Sequence, residues 1–386
     1  MQIQHIACAL LLTLATLHAA PFGERVQLRG SLDNSRLKFE QTGKGRVAFL
    51  GGSITEMDGY RPMVSDILKK RFPKTAFDFV NAGIASTCST TGAFRFSTDV
   101  LAGGTPDLLF VEFAVNDDQD AEHSRADCIR GMEGIIRQAL RANPKMDIVV
   151  TYFVNEGMVK TFQAAGMPVP VEAHEAVAKH YGVSTIHLGE EVAAEITGGK
   201  LTWKQYGGTH PAPFGHAICA SMIDELFTRA WAAPIAEPDS LPSPLDPLSY
   251  EAGRFIDPKL AKSKSGWTLG VPEWDKLPGS KRGRFTSIPM FTATEPGAEA
   301  TLDFEGTAVG AYLVAGPDAG MIEASIDGGA PRTVDLFHHF SAGLHYPRTV
   351  MFGTDLAPGK HTLTIRVAAG SKSAGHAARI MEFVAN

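Results

Sequence analysis

Five residues, Gly51-Gly52-Ser53-Ile54-Thr55, constrain this chain more than any other stretch. The run before them, Arg46-Val47-Ala48-Phe49-Leu50, is short and mostly apolar, as a buried strand is. The run after them, Arg61 to Arg71, reads as a helix. A strand, a tight Gly-Gly turn and a helix present one serine at the carboxyl end of a strand, where open α/β sheets bind their ligands. Glycines allow the sharp turn, and a helix N-terminus offers free N–H groups to developing negative charge. The same residues would also suit an ordinary turn capped by a serine, so the rest of the chain has to decide.

From Gly45 to Arg229 strand-like and helix-like runs alternate. Ala76–Val80, Asp107–Val115, Asp147–Phe153 and Val183–Leu188 read as strands. Arg125–Asn143 reads as a helix, with Ile129, Met132, Ile136 and Leu140 at helical spacing and Pro144 just past its end. Val171–Tyr181 and Ala212–Trp231 read as further helices. This alternation predicts an α/β domain with a mostly parallel sheet covered by helices on both faces.

The pattern then changes. Five prolines lie between Pro234 and Pro247, which predicts a stiff, extended linker. Beyond it, His361–Val367 alternates strictly, with Leu363, Ile365 and Val367 on one face. Ile322–Ile326 runs into Asp327-Gly328-Gly329, a hairpin turn signal. Ala300–Phe304 and Ala308–Val314 are further strand candidates, so the C-terminal region reads as an all-β sandwich. The expected layout is a leader over residues 1–20, an α/β domain over 21–232, a linker over 233–249 and a sandwich over 250–386, with the two domains separable.

Met1 to Ala20 carries no Lys, Arg, Asp or Glu, and its apolar core, Ile6–Leu17, is too short to span a bilayer. It reads as a secretory signal cut near Ala20, which implies a secreted or periplasmic protein without membrane insertion. The formal charge is −6 and no stretch is strongly basic, which argues against nucleic acid as a partner. Cleavage would leave Cys88, Cys128 and Cys219, with no metal-site spacing, so buried free thiols are expected.

Four short blocks in order decide the question left open at Ser53. They are Gly51-Gly52-Ser53-Ile54-Thr55, Asn81-Ala82-Gly83, Val115-Asn116-Asp117 and His210-Pro211. With them the region from about Gly45 to Arg229 resembles the SGNH (GDSL-type) hydrolase family, and the resemblance implies a flavodoxin-like sheet. It also implies Ser53 as nucleophile, His210 as base, and an oxyanion hole made by the N–H groups of Ser53 and Gly83 and the amide of Asn116. Two positions depart from the family pattern: Ala114 stands where a glycine is usual, and Gly207 where an acid is usual. The C-terminal region resembles the accessory sandwiches beside secreted carbohydrate-active hydrolases.

The chemistry follows from these residue types. A serine hydroxyl needs a base to take its proton and donors to hold the oxyanion. No cofactor or metal is implied. An acylated carbohydrate, most simply an acetyl ester, is the expected substrate; a lipid or aryl ester, or a carbohydrate-binding protein with an inactive hydrolase domain, are the alternatives. Residues 204–209 contain no acid, so the loop cannot supply the usual carboxylate for His210. Either a backbone carbonyl of the glycine-containing loop fixes the ring, giving a Ser–His dyad, or an acid reaches in from elsewhere, with Asp117 the nearest by position. Asp117 could instead shape the site. Asp118 and Asp120 read as solvated, His216 as structural, and Glu112 as a buried carboxylate needing a partner such as Arg95.

Overall fold

The structure, a computed structural model, describes residues 21–30, 32–232 and 240–386; the expected leader lies outside the described residues. The first domain is built on six strands: β1 (Val26–Gln27), β2 (Lys44–Gly51), β3 (Ala76–Gly83), β4 (Leu108–Glu112), β5 (Asp147–Thr151) and β6 (Ser184–Ile186). Their order is β1-β6-β5-β4-β2-β3, parallel throughout except for β1 against β6. The apolar runs read as strands are these central strands: β4 and β5 are buried at every position. β4 is shorter than expected. It ends at Glu112, and Ala114 and Val115 already belong to the next helix.

Among the described residues, eleven α-helices accompany the sheet. They are α1 (Asp33–Thr42), α2 (Ser53–Glu56), α3 (Tyr60–Arg71), α4 (Ser89–Phe94), α5 (Ala114–Gln119), α6 (Arg125–Ala142), α7 (Glu156–Gln163), α8 (Val169–His180), α9 (Leu188–Thr197), α10 (Trp203–Tyr206) and α11 (Pro213–Ala230). The chain places β3 on one side of β2 and β4, β5 and β6 on the other. The order therefore reverses between β2 and β4, and a crevice opens outside their carboxyl ends. Ser53 follows β2 and Asn116 follows β4, so both stand at that crevice.

The strands of the C-terminal region pair antiparallel, as its turn signals predict. Its strands are β7 (Arg254–Ile256), β8 (Lys262–Ser265), β9 (Thr268–Gly270), β10 (Met290–Ala293), β11 (Glu299–Glu305), β12 (Val309–Ala315), β13 (Met321–Ile326), β14 (Arg332–Asp335), β15 (Tyr346–Gly353), β16 (Lys360–Val367) and β17 (Ala378–Ala385). One sheet runs β15-β12-β17-β10-β9, with β7 beside β17, and the other runs β14-β13-β16-β11-β8. Leu363, Ile365 and Val367 of β16 point into the core between them. Alternate residues of β12 do the same: Val309, Ala311, Leu313 and Ala315.

The other face of β12 is buried as well. Tyr312 and Val314, with Met381 and Val384 of β17, join the hydrophobic core of the hydrolase domain. This explains why β12 is a continuous apolar run while β16 alternates: one is covered on both faces, the other on one. The two domains share an apolar core beyond the proline-rich stretch. Residues 233–239 of that stretch lie outside the described residues, and the part beyond them is anchored to the first domain. Glu133 accepts from the N–H groups of Leu245 and Asp246, Arg137 donates to the Pro242 carbonyl, and Arg130 pairs with Asp246.

Candidate active site

Ser53 is the first residue of α2, and its Oγ lies 2.8 Å from Nε2 of His210. The approach depends on glycine. A Cβ on Gly52 would stand 2.1 Å from Asn116 Oδ1, so only glycine lets the nucleophile turn pack against the α5 amide. Gly52, at the N-cap of α2, provides no side-chain cap, and the cap role passes to Glu112. Its Oε1 accepts from the N–H groups of Gly52 (2.9 Å) and Thr55 (3.2 Å) and from the Thr55 hydroxyl (2.7 Å). Burial pushes the Glu112 carboxyl up to about 7 despite these bonds.

Arg95 is not the partner of Glu112. It is fully buried, and its Nη atoms donate to the carbonyls of Ala82 (2.6 Å) and Gly51 (3.0 Å) and to Asp99 (2.9 Å). It therefore ties together the ends of β2 and β3 just below the nucleophile. Sequence missed this because backbone carbonyls leave no residue signature.

The Gly83 N–H donates to Asn81 Oδ1 at 3.0 Å, within its own strand end. An added Cβ there would meet the Glu56 backbone nitrogen at 2.3 Å, so the glycine serves the contact between β3 and α2. Beyond it, Ser86 takes a left-handed φ of 71°.

Asn116 is buried, and its Nδ2 donates to Asp120 Oδ2 at 2.7 Å. Asp120 is not solvated as expected. It is 8% exposed, and its other oxygen accepts from the Tyr346 hydroxyl on β15 of the sandwich. Asp118 accepts from Asn155 at 2.7 Å. Asp117, next to Asn116 in sequence, points the other way. Its carboxylate accepts from the Ser89 N–H (2.7 Å), the Ser89 hydroxyl (2.6 Å) and His174 Nε2 (2.9 Å). Burial alone would raise this carboxyl, but His123 and His174 outweigh it and hold it well below the usual range.

Asp117 also belongs to two groups that could hold a cation, one with Cys88 and His123 and one with Cys128 and His174, whose ligand atoms lie within 4.8 Å of each other. Its oxygens are already engaged by Ser89 and His174, so the group reads as a hydrogen-bonded hub joining α4, α5 and α8. Cys88, Cys128 and Cys219 are buried and free, as expected.

His210 lies in the loop between α10 and α11. Gly207 makes this loop possible: its φ is 106°, and a Cβ there would stand 2.0 Å from the Ala212 nitrogen. Among the described residues the His210 ring hydrogen-bonds to Ser53, with no carboxylate and no loop carbonyl at its other nitrogen. The Tyr206 carbonyl, at the end of α10, accepts from the Ala212 N–H and is not available to the ring. Beneath it His216 is buried against Gly59, and desolvation, with His210 nearby, pushes it down to about 4.

The sandwich walls one side of this crevice. Arg282 donates to the Ala85 carbonyl (2.8 Å) and the Ser86 hydroxyl (2.9 Å), and Arg284 pairs with Glu56. Thr349 meets Thr91 at 2.8 Å. None of this was visible in sequence, because each pair joins residues about two hundred positions or more apart.

The comparisons agree with this architecture. Two solved structures of a two-domain esterase (CEX) active on acetylated mannans superpose on nearly the whole chain, each covering 93% of it and 96% of their own length. One, co-crystallised with mannopentaose, has 21% identity and a TM-score of 0.76; the other has 22% and 0.75. At this identity the likeness concerns the fold, including its second domain. No curated protein sequence matches the chain. No helix among the described residues is long and apolar enough to cross a membrane. Residues 49–218 match the family described as GDSL-like Lipase/Acylhydrolase. The α/β domain is thus similar to this family, and the protein is a carboxylic ester hydrolase.

Proposed function

We propose that the protein is a serine esterase that removes acyl groups, most simply acetyl, from a carbohydrate through an acyl-enzyme at Ser53. The observation that carries the reading is the 2.8 Å contact of Ser53 Oγ with His210 Nε2 at the crevice between β2 and β4. His210 takes the hydroxyl proton as Oγ attacks the ester carbonyl. The Ser53 N–H and the Asn116 amide stabilise the oxyanion; removing one such donor typically costs about 100- to 1,000-fold in rate. His210 then protonates the leaving alcohol, and water, deprotonated by the same ring, releases the acid.

The ring works as half of a Ser–His dyad. Support for the sugar ester comes from the two-domain esterases of the same fold, which are active on acetylated mannans. Export across a membrane, from the leader-like residues 1–20, would bring the enzyme to such polymers. The test is hydrolysis of p-nitrophenyl acetate together with acetate release from a panel of acetylated polysaccharides. Activity on both that vanishes in Ser53→Ala, with fluorophosphonate labelling at Ser53, is the expected result. Labelling at another serine, or release from none of the polymers, would sink the reading.

A further inference from the structure

We infer that the sandwich domain positions the oxyanion donor across the domain interface: Tyr346 holds Asp120, and Asp120 holds the Asn116 amide. The inference rests on the esterase reading of Ser53 and deepens it.

The geometry begins with the amide. An Asn side chain has an acceptor end and a donor end, and only the donor end can stabilise an oxyanion. Asp120 settles which end is which. Asp120 Oδ2 lies 2.7 Å from Nδ2, and an ionised carboxylate can only accept. The Asn116 oxygen is thereby turned to Gly52, where an added Cβ would stand 2.1 Å from it. One N–H of the amide is spent on Asp120 and the second remains for the substrate oxygen. A flipped amide would instead set two acceptors, its own oxygen and the Asp120 carboxylate, against each other.

Asp120 is held in turn from outside its own domain. Its Oδ1 accepts from the Tyr346 hydroxyl. Tyr346 is 2% exposed and stands at the start of β15, with His338 stacked on its ring at 4.8 Å and 13°. Arg282 places its guanidinium 6.0 Å from the same ring and donates to Ser86. Asp120 lies four residues after Asn116 at the end of α5, so the two share a helix face. Tyr346 and Asp120 are positioning residues; neither is assigned contact with the substrate.

The interface supplies its own control. Thr349 Oγ1 meets Thr91 Oγ1 at 2.8 Å on the same strand as Tyr346, yet contacts nothing that reaches Asn116. The full-length protein and its Tyr346→Phe, Asp120→Asn, Thr349→Val and double Tyr346→Phe/Asp120→Asn variants are compared for kcat and KM on p-nitrophenyl acetate, for the rate of fluorophosphonate labelling at Ser53, and for Tm. Tyr346→Phe is expected to lower kcat about 10-fold and the labelling rate by a similar factor, with KM within about twofold. Asp120→Asn, which can turn the Asn116 amide around, is expected to cost about 100-fold. The double variant is expected to be within about twofold of Asp120→Asn, because the two act as one unit. Thr349→Val is expected to keep wild-type kcat.

Wild-type kcat in Tyr346→Phe, or equal kcat losses in Tyr346→Phe and Thr349→Val, overturns the relay. Should Asp120→Asn fail to fold, the comparison of Tyr346→Phe with Thr349→Val still decides it. Wild-type activity in Ser53→Ala would instead remove the underlying esterase reading, so the two failures are distinguishable.

Discussion

Ser53 and His210, the proposed nucleophile and base, are held in opposite ways. Ser53 sits on a turn whose surroundings are bonded almost atom by atom. Glu112 holds the turn's N–H groups, Arg95 holds the strand ends beneath it, and Asn116 packs against Gly52. His210 stands on an exposed loop, and among the described residues its one ring hydrogen bond is to the serine itself. On the proposed mechanism, the sheet supplies rigidity where charge would develop, and the base would be oriented by its reacting partner rather than by an acid behind it.

The strongest way to break that contrast is to remove the base. His210→Ala is expected to lower kcat about 10⁴-fold or more, and the Ser53→Ala/His210→Ala double variant to be no slower than either single one, as for groups that act as a unit. Steady-state turnover of p-nitrophenyl acetate checks it, and a loss of only a few-fold would mean that another group takes the proton. A second experiment asks whether an acid stands behind the ring. Amide substitutions at Glu56, Asp58, Glu112, Asp117, Asp118, Glu190 and Glu191 are each expected to cost far less kcat than His210→Ala. If one folded variant falls as far as His210→Ala, the dyad is wrong and that residue is the acid.

Asp117→Asn sharpens the contrast from the rigid side. Its cost should appear in stability, about 2–4 kcal/mol in urea unfolding, because a buried carboxylate accepting three hydrogen bonds is lost from the hub. Turnover of the folded fraction should stay within about 10-fold. A stable Asp117→Asn protein with severely reduced kcat would move Asp117 into the reaction.

The smallest effect concerns Glu112. Its carboxyl is raised from 4.5 to about 7 by burial, so between those values the unfolded chain has lost a proton that the folded one keeps. Stability contributed by this group therefore declines as pH rises through that window and stays reduced above it. Glu112→Gln, with no proton to lose, should flatten the decline. The expected result is a Tm difference between the two proteins that shifts by about 2–5 °C from pH 4.5 to pH 8, in favour of the variant at high pH. Parallel melting curves across that range would show that Glu112 does not titrate there.

Much of this arrangement was legible because it is local. Ser53 and Asn116 each follow a short apolar run that gives away a strand, His210 was singled out by the His210-Pro211 block ahead of a helix, and β16 shows its buried face by strict alternation. What was misread depends on direction or distance. Asp117 and Asp120 looked alike as acids near Asn116. On α5, however, neighbours diverge by about 100° while residues four apart align, so Asp117 faces α8 and Asp120 shares the face of Asn116. Recognising that a helix starts at Ala114 would have found Asp120. Nothing local marks Tyr346 as its partner, 226 residues on. The bond from the Gly83 N–H to Asn81, two residues back, was likewise not read from the sequence. The seating of residues 242–246 on α6 was equally invisible, since prolines describe a chain's stiffness and not the surface it lies on.

That stretch has one more consequence. Because residues 242–246 are seated on α6, and because Tyr312 and Val314 lie in the first domain's core, the sandwich cannot be inherited as a loose cassette. A chimera carrying another protein's sandwich would have to bring a hydroxyl to the place of Tyr346, an apolar outer face to match, and a leash that fits Glu133 and Arg137. Recombination at this boundary would break a working enzyme more readily than it would make one with a new diet.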